Sequence, residues 1–235
     1  MTTVARLDNV QHAALRLRRG HGARFGEEVN QVAVFASEFA QVQREYPILF
    51  ARTPEGALQA VAILGFDRDE NLFLDGERWD AAYIPALLRR RPFSIGTSDG
   101  ESVVCIDLAD PRIAAEGDAG EPVFKTHGGN APALDAALDA LRALQVGAAA
   151  AAAMSALFDA LGLVEPVKLH VQFDEHSGVD FDGYQALVPE KIAALDDAAL
   201  GRLNRAGLLE VAVFAAASLG TMPRLVARKQ RKLAG

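Results

Sequence analysis

Apolar residues fall into short runs in the first half of this chain and into long helical faces in the second. Residues 31–35 (QVAVF), 48–51 (ILFA) and 57–66 (ALQAVAILGF) read as strands. The last two turn back on each other at Thr53-Pro54-Glu55-Gly56. Before them, Phe39, Val42 and Tyr46 recur at helical spacing, with Ser37 placed to cap that turn and Pro47 to end it. Residues 71–74 (NLFL) read as a further strand ahead of an Asp75-Gly76 turn. Residues 79–91 (WDAAYIPALLRRR) read as a short helix with Pro85 in its first turn. The runs 92–96 and 102–108 meet at Ser98-Asp99-Gly100, and Asp-Gly between apolar runs predicts a hairpin. Nearer the start, Arg16, Arg18 and Arg19 alternate with Leu15 and Leu17 as in an edge strand.

Residues 109–130 are rich in Gly, Pro and charge and read as a loop. From 131 to 161 the pattern is helical: Leu134, Leu138, Leu141, Leu144, Met154, Leu157, Phe158 and Leu161 share roughly one face. Pro132 suits its first turn and Gly162 its end. Residues 167–173 (VKLHVQF) and 179–187 read as paired strands turning at Gly178. A helix opens at Val188-Pro189-Glu190, and a last one covers about 197–219. Hairpin links rather than alternating βαβ units predict an α+β fold with a mostly antiparallel sheet, a long Ala-rich helix and a helical C-terminus. The expected organisation is one domain over 1–235, strand-rich over 10–110 and helix-rich over 130–225.

Composition narrows the classes. Half of the 235 residues are hydrophobic, enough for a sizeable core. The formal charge of -7 and pI of about 5.3 argue against nucleic acid. Cys105 is the single cysteine and reads as a buried, inert thiol of a reducing compartment. The first twenty residues lack a secretory pattern, so the expected location is cytoplasmic. Residues 146–157 and 206–220 are apolar, but a span needs about 20 such residues. Both are expected to be buried helices, and no membrane span is expected.

The motifs with chemical meaning fail their context tests. Gly96-Thr97-Ser98-Asp99-Gly100 has the nucleophile-elbow spacing, but a strand follows it instead of a helix. Asp67, Asp69 and Asn71 begin like a calcium loop, yet Leu72 stands where Gly is needed and Arg78 where Glu is needed. Asp174, Glu175, His176, Asp180 and Asp182 are acidic enough to attract a cation, without a ligand signature for one, and His170 adds none. The glycines around His21 miss a phosphate-loop spacing, and His127-Gly128-Gly129 reads as a loop. No metal and no cofactor is expected. The basic residues from Arg224 onward read as a solvated, frayed helix end.

Two stretches remain. Residues 20–50 hold His21, Arg24, Asn30, Glu38, Gln43 and Tyr46 among apolar residues and end in YPILF. Residues 75–80 (DGERWD) carry the only Trp beside Arg and acids, a combination common at binding sites. These segments, together with ILGFDRDENLFLDGERWDAAYIPALLRRRPF and the C-terminal GYQALVPEKIAALDDAALGRLNRAGLLEVAVFAAASLGTMPRL, resemble the SapC-like family of bacterial proteins over about residues 10–225. The chain departs at Ala33, where relatives often have proline, and at Tyr184-Gln185-Ala186-Leu187. The resemblance implies an accessory role beside TonB-dependent uptake, with flavin-dependent halogenase-like or cupin-like partners, and carbohydrate as a plausible substrate class. It supplies no catalytic residues. Members are sometimes labelled permease components, which the hydropathy pattern does not support here.

The expectation is therefore a non-catalytic binding protein. If the two stretches line one groove, its contacts are His21, Arg24, Asn30, Glu38, Tyr46, Asp75, Glu77, Arg78 and Trp79. The alternative is an enzyme acting on a sugar or peptide, with Glu38, Asp75, Glu77 and His21 as acid and base. A structural subunit with an exposed apolar patch on the alanine-rich helix is a third reading.

Overall fold

The computed structural model describes residues 3–115, 117–167, 169–173 and 178–234. In chain order the elements are β1 (Val4–Arg6), β2 (Arg16–Leu17), β3 (Gln31–Ala33), α1 (Phe39–Val42), β4 (Ile48–Arg52), β5 (Leu58–Ile63), β6 (Leu74–Asp75), β7 (Arg78–Trp79), α2 (Ala86–Arg89), β8 (Phe93–Ser98) and β9 (Glu101–Asp107). They continue as β10 (Glu121–Pro122), α3 (Pro132–Ala160), β11 (Val164–Pro166), β12 (Leu169–Gln172), β13 (Gly178–Phe181), β14 (Gln185–Leu187), α4 (Pro189–Ala193), α5 (Asp197–Arg205), α6 (Leu209–Ser218) and α7 (Met222–Ala234). The fold is α+β, and among the described residues every strand pairing is antiparallel.

The main sheet runs β11-β14-β4-β5-β3 and a smaller one β1-β9-β8. The hairpin between β8 and β9 turns at Asp99 and Gly100, both at positive φ, as Asp-Gly predicts. Cys105 in β9 is half-buried rather than buried, and its Sγ packs over Gly96, where an added Cβ would come within 2.8 Å of it.

Helix α3 is the spine. Its first half gives Leu134, Ala137 and Leu141 to a core with Phe93, Ile106 and Val123. Its second half gives Met154 and Phe158 to the larger core around β4 and β5. The Ser155 hydroxyl accepts the Leu58 N–H at 2.8 Å, and Ser218 of α6 does the same for Ile48 at 2.9 Å. Two buried serines thus satisfy strand donors that have no neighbouring strand there. Midway, Gly147 lets α3 pass over residues 35–37: a Cβ there would meet the Phe35 Cβ at 2.3 Å. Exposed helix glycines usually gain stability on replacement by alanine. Gly147→Ala is expected to do the reverse, costing about 1–3 kcal/mol by overpacking, read as a lower urea midpoint. An unchanged or higher midpoint would show that the crossing is loose.

Several expectations change. Ser37 does not cap the turn before α1; its hydroxyl donates to the Ala143 carbonyl of α3 at 2.7 Å, and Glu38 takes the cap instead. Residues 71–73 are not a strand, and Trp79 lies in the two-residue strand β7 rather than opening a helix. Only Ala86–Arg89 is helical there, with Pro85 just before it. Gly183, at φ 79°, splits the expected strand 179–187 into β13 and β14, which join different sheets. Gly207, at φ 67°, likewise separates α5 from α6. The cluster of Asp174, Glu175 and His176 lies outside the described residues.

The C-terminal end is helix α7, not a frayed tail. Lys229 is buried between Asp67 and Glu70 and lies over the Phe173 ring at 5.7 Å. Burial alone would raise the Glu70 carboxyl, but bonds from Lys229, Phe66 N–H and Lys232 outweigh it and hold it below the usual range. Asp67, read above as the start of a calcium-like turn, serves here as a counter-charge.

By length and apolar composition alone, the longer stretches Pro132–Ala160 and Leu209–Ala234 each suffice to cross a membrane, a test that the core helix of a soluble protein also passes. The apolar window of α3 is only 28% buried, so α3 is not the buried helix expected. Both stretches nevertheless supply core side chains, among them Phe158, Ala215 and Leu225.

Candidate functional site

Residues 20–27 form a tight loop held against the β6–β7 turn. The His21 N–H donates to the Glu77 carbonyl at 3.0 Å. Gly22, at φ 128°, then reverses the chain so that its own N–H reaches the Glu27 carboxylate at 2.8 Å. This places the His21 ring edge-on to Trp79, 5.7 Å between centroids, and pairs Arg24 with Glu77 at 2.8 Å. Asp75 and Arg78 pair across the same turn at 2.9 Å.

Under the loop sits Glu27, 1% exposed. Its carboxylate faces Nδ1 of His21 at 3.2 Å and accepts from the Arg112 guanidinium and the Gly22 N–H. Burial pushes its carboxyl up, but the bonds from His21 and Gly22 and the Arg112 charge prevail, and it ends below the ordinary glutamate value. Arg112 lies 4.4 Å over the Phe25 ring. Asn71 donates to the Glu27 carbonyl at 2.8 Å, and Arg91 donates to the Phe25 carbonyl while pairing with Asp110 at 2.9 Å.

A second line of bonds runs inward. The Trp79 indole N–H donates to the Tyr46 hydroxyl at 2.8 Å, and that hydroxyl donates to the Tyr83 carbonyl. The Tyr83 hydroxyl donates to Glu38 at 2.9 Å, where the Ala86 and Phe35 N–H groups also donate, at 2.9 and 3.1 Å. Burial dominates at Glu38 and holds its carboxyl above the usual value.

The structure brings His21, Arg24, Asp75, Glu77, Arg78 and Trp79 together and links Tyr46 and Glu38 to them through Trp79 and Tyr83. It does not make them a groove. Glu38 is 2%, Tyr46 0% and Trp79 6% exposed, so these three are interior braces rather than contacts. Asn30 acts through its carbonyl, which accepts the Leu64 and Gly65 N–H groups at 2.7 and 3.0 Å. Exposed side chains remain at Arg24, Asp75, Glu77 and Arg78, with His21 half-buried among them. A depression of about 480 Å³ borders the rim at Arg24, with Arg18, Arg19 and Gly120 on its other walls, and depressions of about 900 and 750 Å³ lie beside Ala14, Leu15 and Arg16.

Glu27, Arg112 and Tyr83 were not singled out from sequence, and Asn71 was considered only as part of a calcium-like turn. Glu27 precedes Glu28 and reads as a solvated charge, while Arg112 sits in the loop 109–130 and meets Glu27 across 85 positions. Nothing local announces that pairing.

The geometry can orient His21. With Nδ1 facing Glu27, Nε2 makes no hydrogen bond among the described residues. Among the described residues no group of three or more His, Cys, Asp or Glu is placed to hold a metal ion. Neither the curated proteins nor the solved structures compared contain a match to this chain. A family model does match, over residues 7–225, nearly its whole length, and the chain belongs to the SapC family.

Proposed function

We propose that this SapC family member is a cytoplasmic accessory protein that binds a protein partner through the rim formed by His21, Arg24, Asp75, Glu77 and Arg78. The observation that carries the reading is the division of the site. Its charged rim is exposed, while its base is closed by internal hydrogen bonds from Glu27 to Glu38. A charged, exposed rim over a closed base favours recognition of another surface over enclosure of a small substrate. Of the acids and bases expected of an enzyme, Glu38 is interior, and Asp75 and Glu77 beside His21 are tied to Arg78 and Arg24. The family resemblance points to halogenase-like, cupin-like or uptake-linked proteins as partners.

The test is a tagged pull-down from the native host, wild type beside Arg24→Glu/Arg78→Glu. Both side chains are exposed, so the variant is expected to fold. A partner of one of those kinds captured by wild type and lost by the variant is the expected result. The same partners with both proteins, or turnover by the purified protein alone, would sink the reading.

A second reading rests on one observation. A buried carboxylate facing Nδ1 and an unbonded Nε2 are the arrangement of an oriented general base. On that reading the protein acts on a sugar or peptide, and His21→Gln abolishes turnover found in a substrate screen while leaving folding intact.

A further inference from the structure

Helix α7 presents Arg224, Arg228 and Arg231 along one face, at spacings of four and three residues. Like charges so placed repel one another on an isolated helix. They line a depression of about 300 Å³ whose other walls include Glu45 and Phe73. Arg228 is fixed there: it pairs with Asp80 at 2.8 Å, donates to the Asp80 carbonyl at 2.8 Å and lies 4.4 Å over the Phe73 ring. Arg224 and Arg231 are exposed and, among the described residues, make no hydrogen bond or ion pair. Helix-end electrostatics do not account for Arg224, which stands in the first turn of α7. Nor does the chain as a whole, whose formal charge is -7.

We propose that this depression binds a small polyanion bearing phosphate groups, held by Arg224 and Arg231 on either side of Arg228. The exposed guanidiniums of Arg224 and Arg231, the latter within electrostatic reach of Asp80 but not hydrogen-bonded to it, are separated by seven residues of helix, a rise of about 10 Å. Two such forks are better answered by a ligand with two anionic groups than by a single ion. Glu45 lies on the wall as a counter-charge; its Oε1 is 3.4 Å from the Ala82 N–H it accepts. The site shares no residue with the rim around His21, so it stands or falls apart from the accessory reading.

Calorimetric titration of the full chain with pyrophosphate and with inorganic phosphate tests the proposal. Co-sedimentation with phosphatidylglycerol vesicles distinguishes a lipid headgroup from a free ligand. Saturable pyrophosphate binding is expected, weakened about 10-fold or more in Arg224→Ala/Arg231→Ala, as the loss of charged hydrogen bonds requires. Arg142→Ala, an exposed arginine on α3 paired with Asp139, is expected to bind as wild type does. Circular dichroism checks that the double variant folds, and Arg231→Gln, which keeps the stem and removes the charge, gives an independent reading. Absence of saturable binding, equal binding by the double variant, an equal loss in Arg142→Ala, or binding to vesicles alone would each overturn the assignment.

Discussion

Glu27→Ala is expected to destabilise the protein by about 3–5 kcal/mol, the usual cost of removing one partner from a buried ion pair. The Arg112 side chain is only 12% exposed and would keep its charge without a carboxylate to answer it. The Gly22 N–H and His21 Nδ1 would lose their acceptor as well. The loop that presents His21 and Arg24 should then loosen from the β6–β7 turn. Urea unfolding reads the loss as a lower midpoint, and a change below about 1 kcal/mol would show that solvent already answers Arg112. The carboxyl of Glu27 titrates below its ordinary value of 4.5 in the folded protein. Its contribution is therefore present above about pH 4.5 and lost as pH falls through the lower folded value. Wild type should lose stability in that acid window, and Glu27→Ala should show a flatter profile there.

Trp79→Ala is expected to cost about 3–5 kcal/mol, as for other buried aromatic truncations. Trp79 touches the His21 ring and holds the Tyr46 hydroxyl, so its loss opens a cavity and leaves that hydroxyl one donor short. Trp79→Phe fills most of the space and should cost about 1–2 kcal/mol, the worth of the missing hydrogen bond plus imperfect packing. An exposed binding anchor would behave differently. It would leave the unfolding midpoint of Trp79→Ala near wild type and change only partner capture, and that result would move Trp79 to the surface.

Both predictions concern residues whose importance reads unevenly from the sequence. Trp79 stands out as the only Trp, yet its role as an interior brace depends on Tyr46, 33 positions away. Glu38 stands out within an apolar segment for the same reason that it is buried: the surrounding Phe35, Phe39 and Val42 draw the turn inward. Glu27 and Arg112 do not stand out at all. Each lies in a stretch without periodicity, and a charge in such a stretch reads as solvated unless its partner is known. Asp67 and Lys229 repeat the lesson across 162 positions.

What the sequence by itself determined is local. Asp99-Gly100 makes the β8–β9 hairpin because only a few residue types accept its positive φ angles. Pro132 and the run of alanine and leucine make α3, and the apolar residues 48–51 and 57–66 pair because a short turn leaves them adjacent. The tertiary structure alone decided that one helix serves two cores, that Trp79 turns inward and that α7 locks onto residues 67–80. It also decided which charges are buried. Those outcomes depend on the path that brings distant segments together, and the energy of an ion pair or a packed ring depends on the partner and its surroundings, neither of which a local pattern encodes.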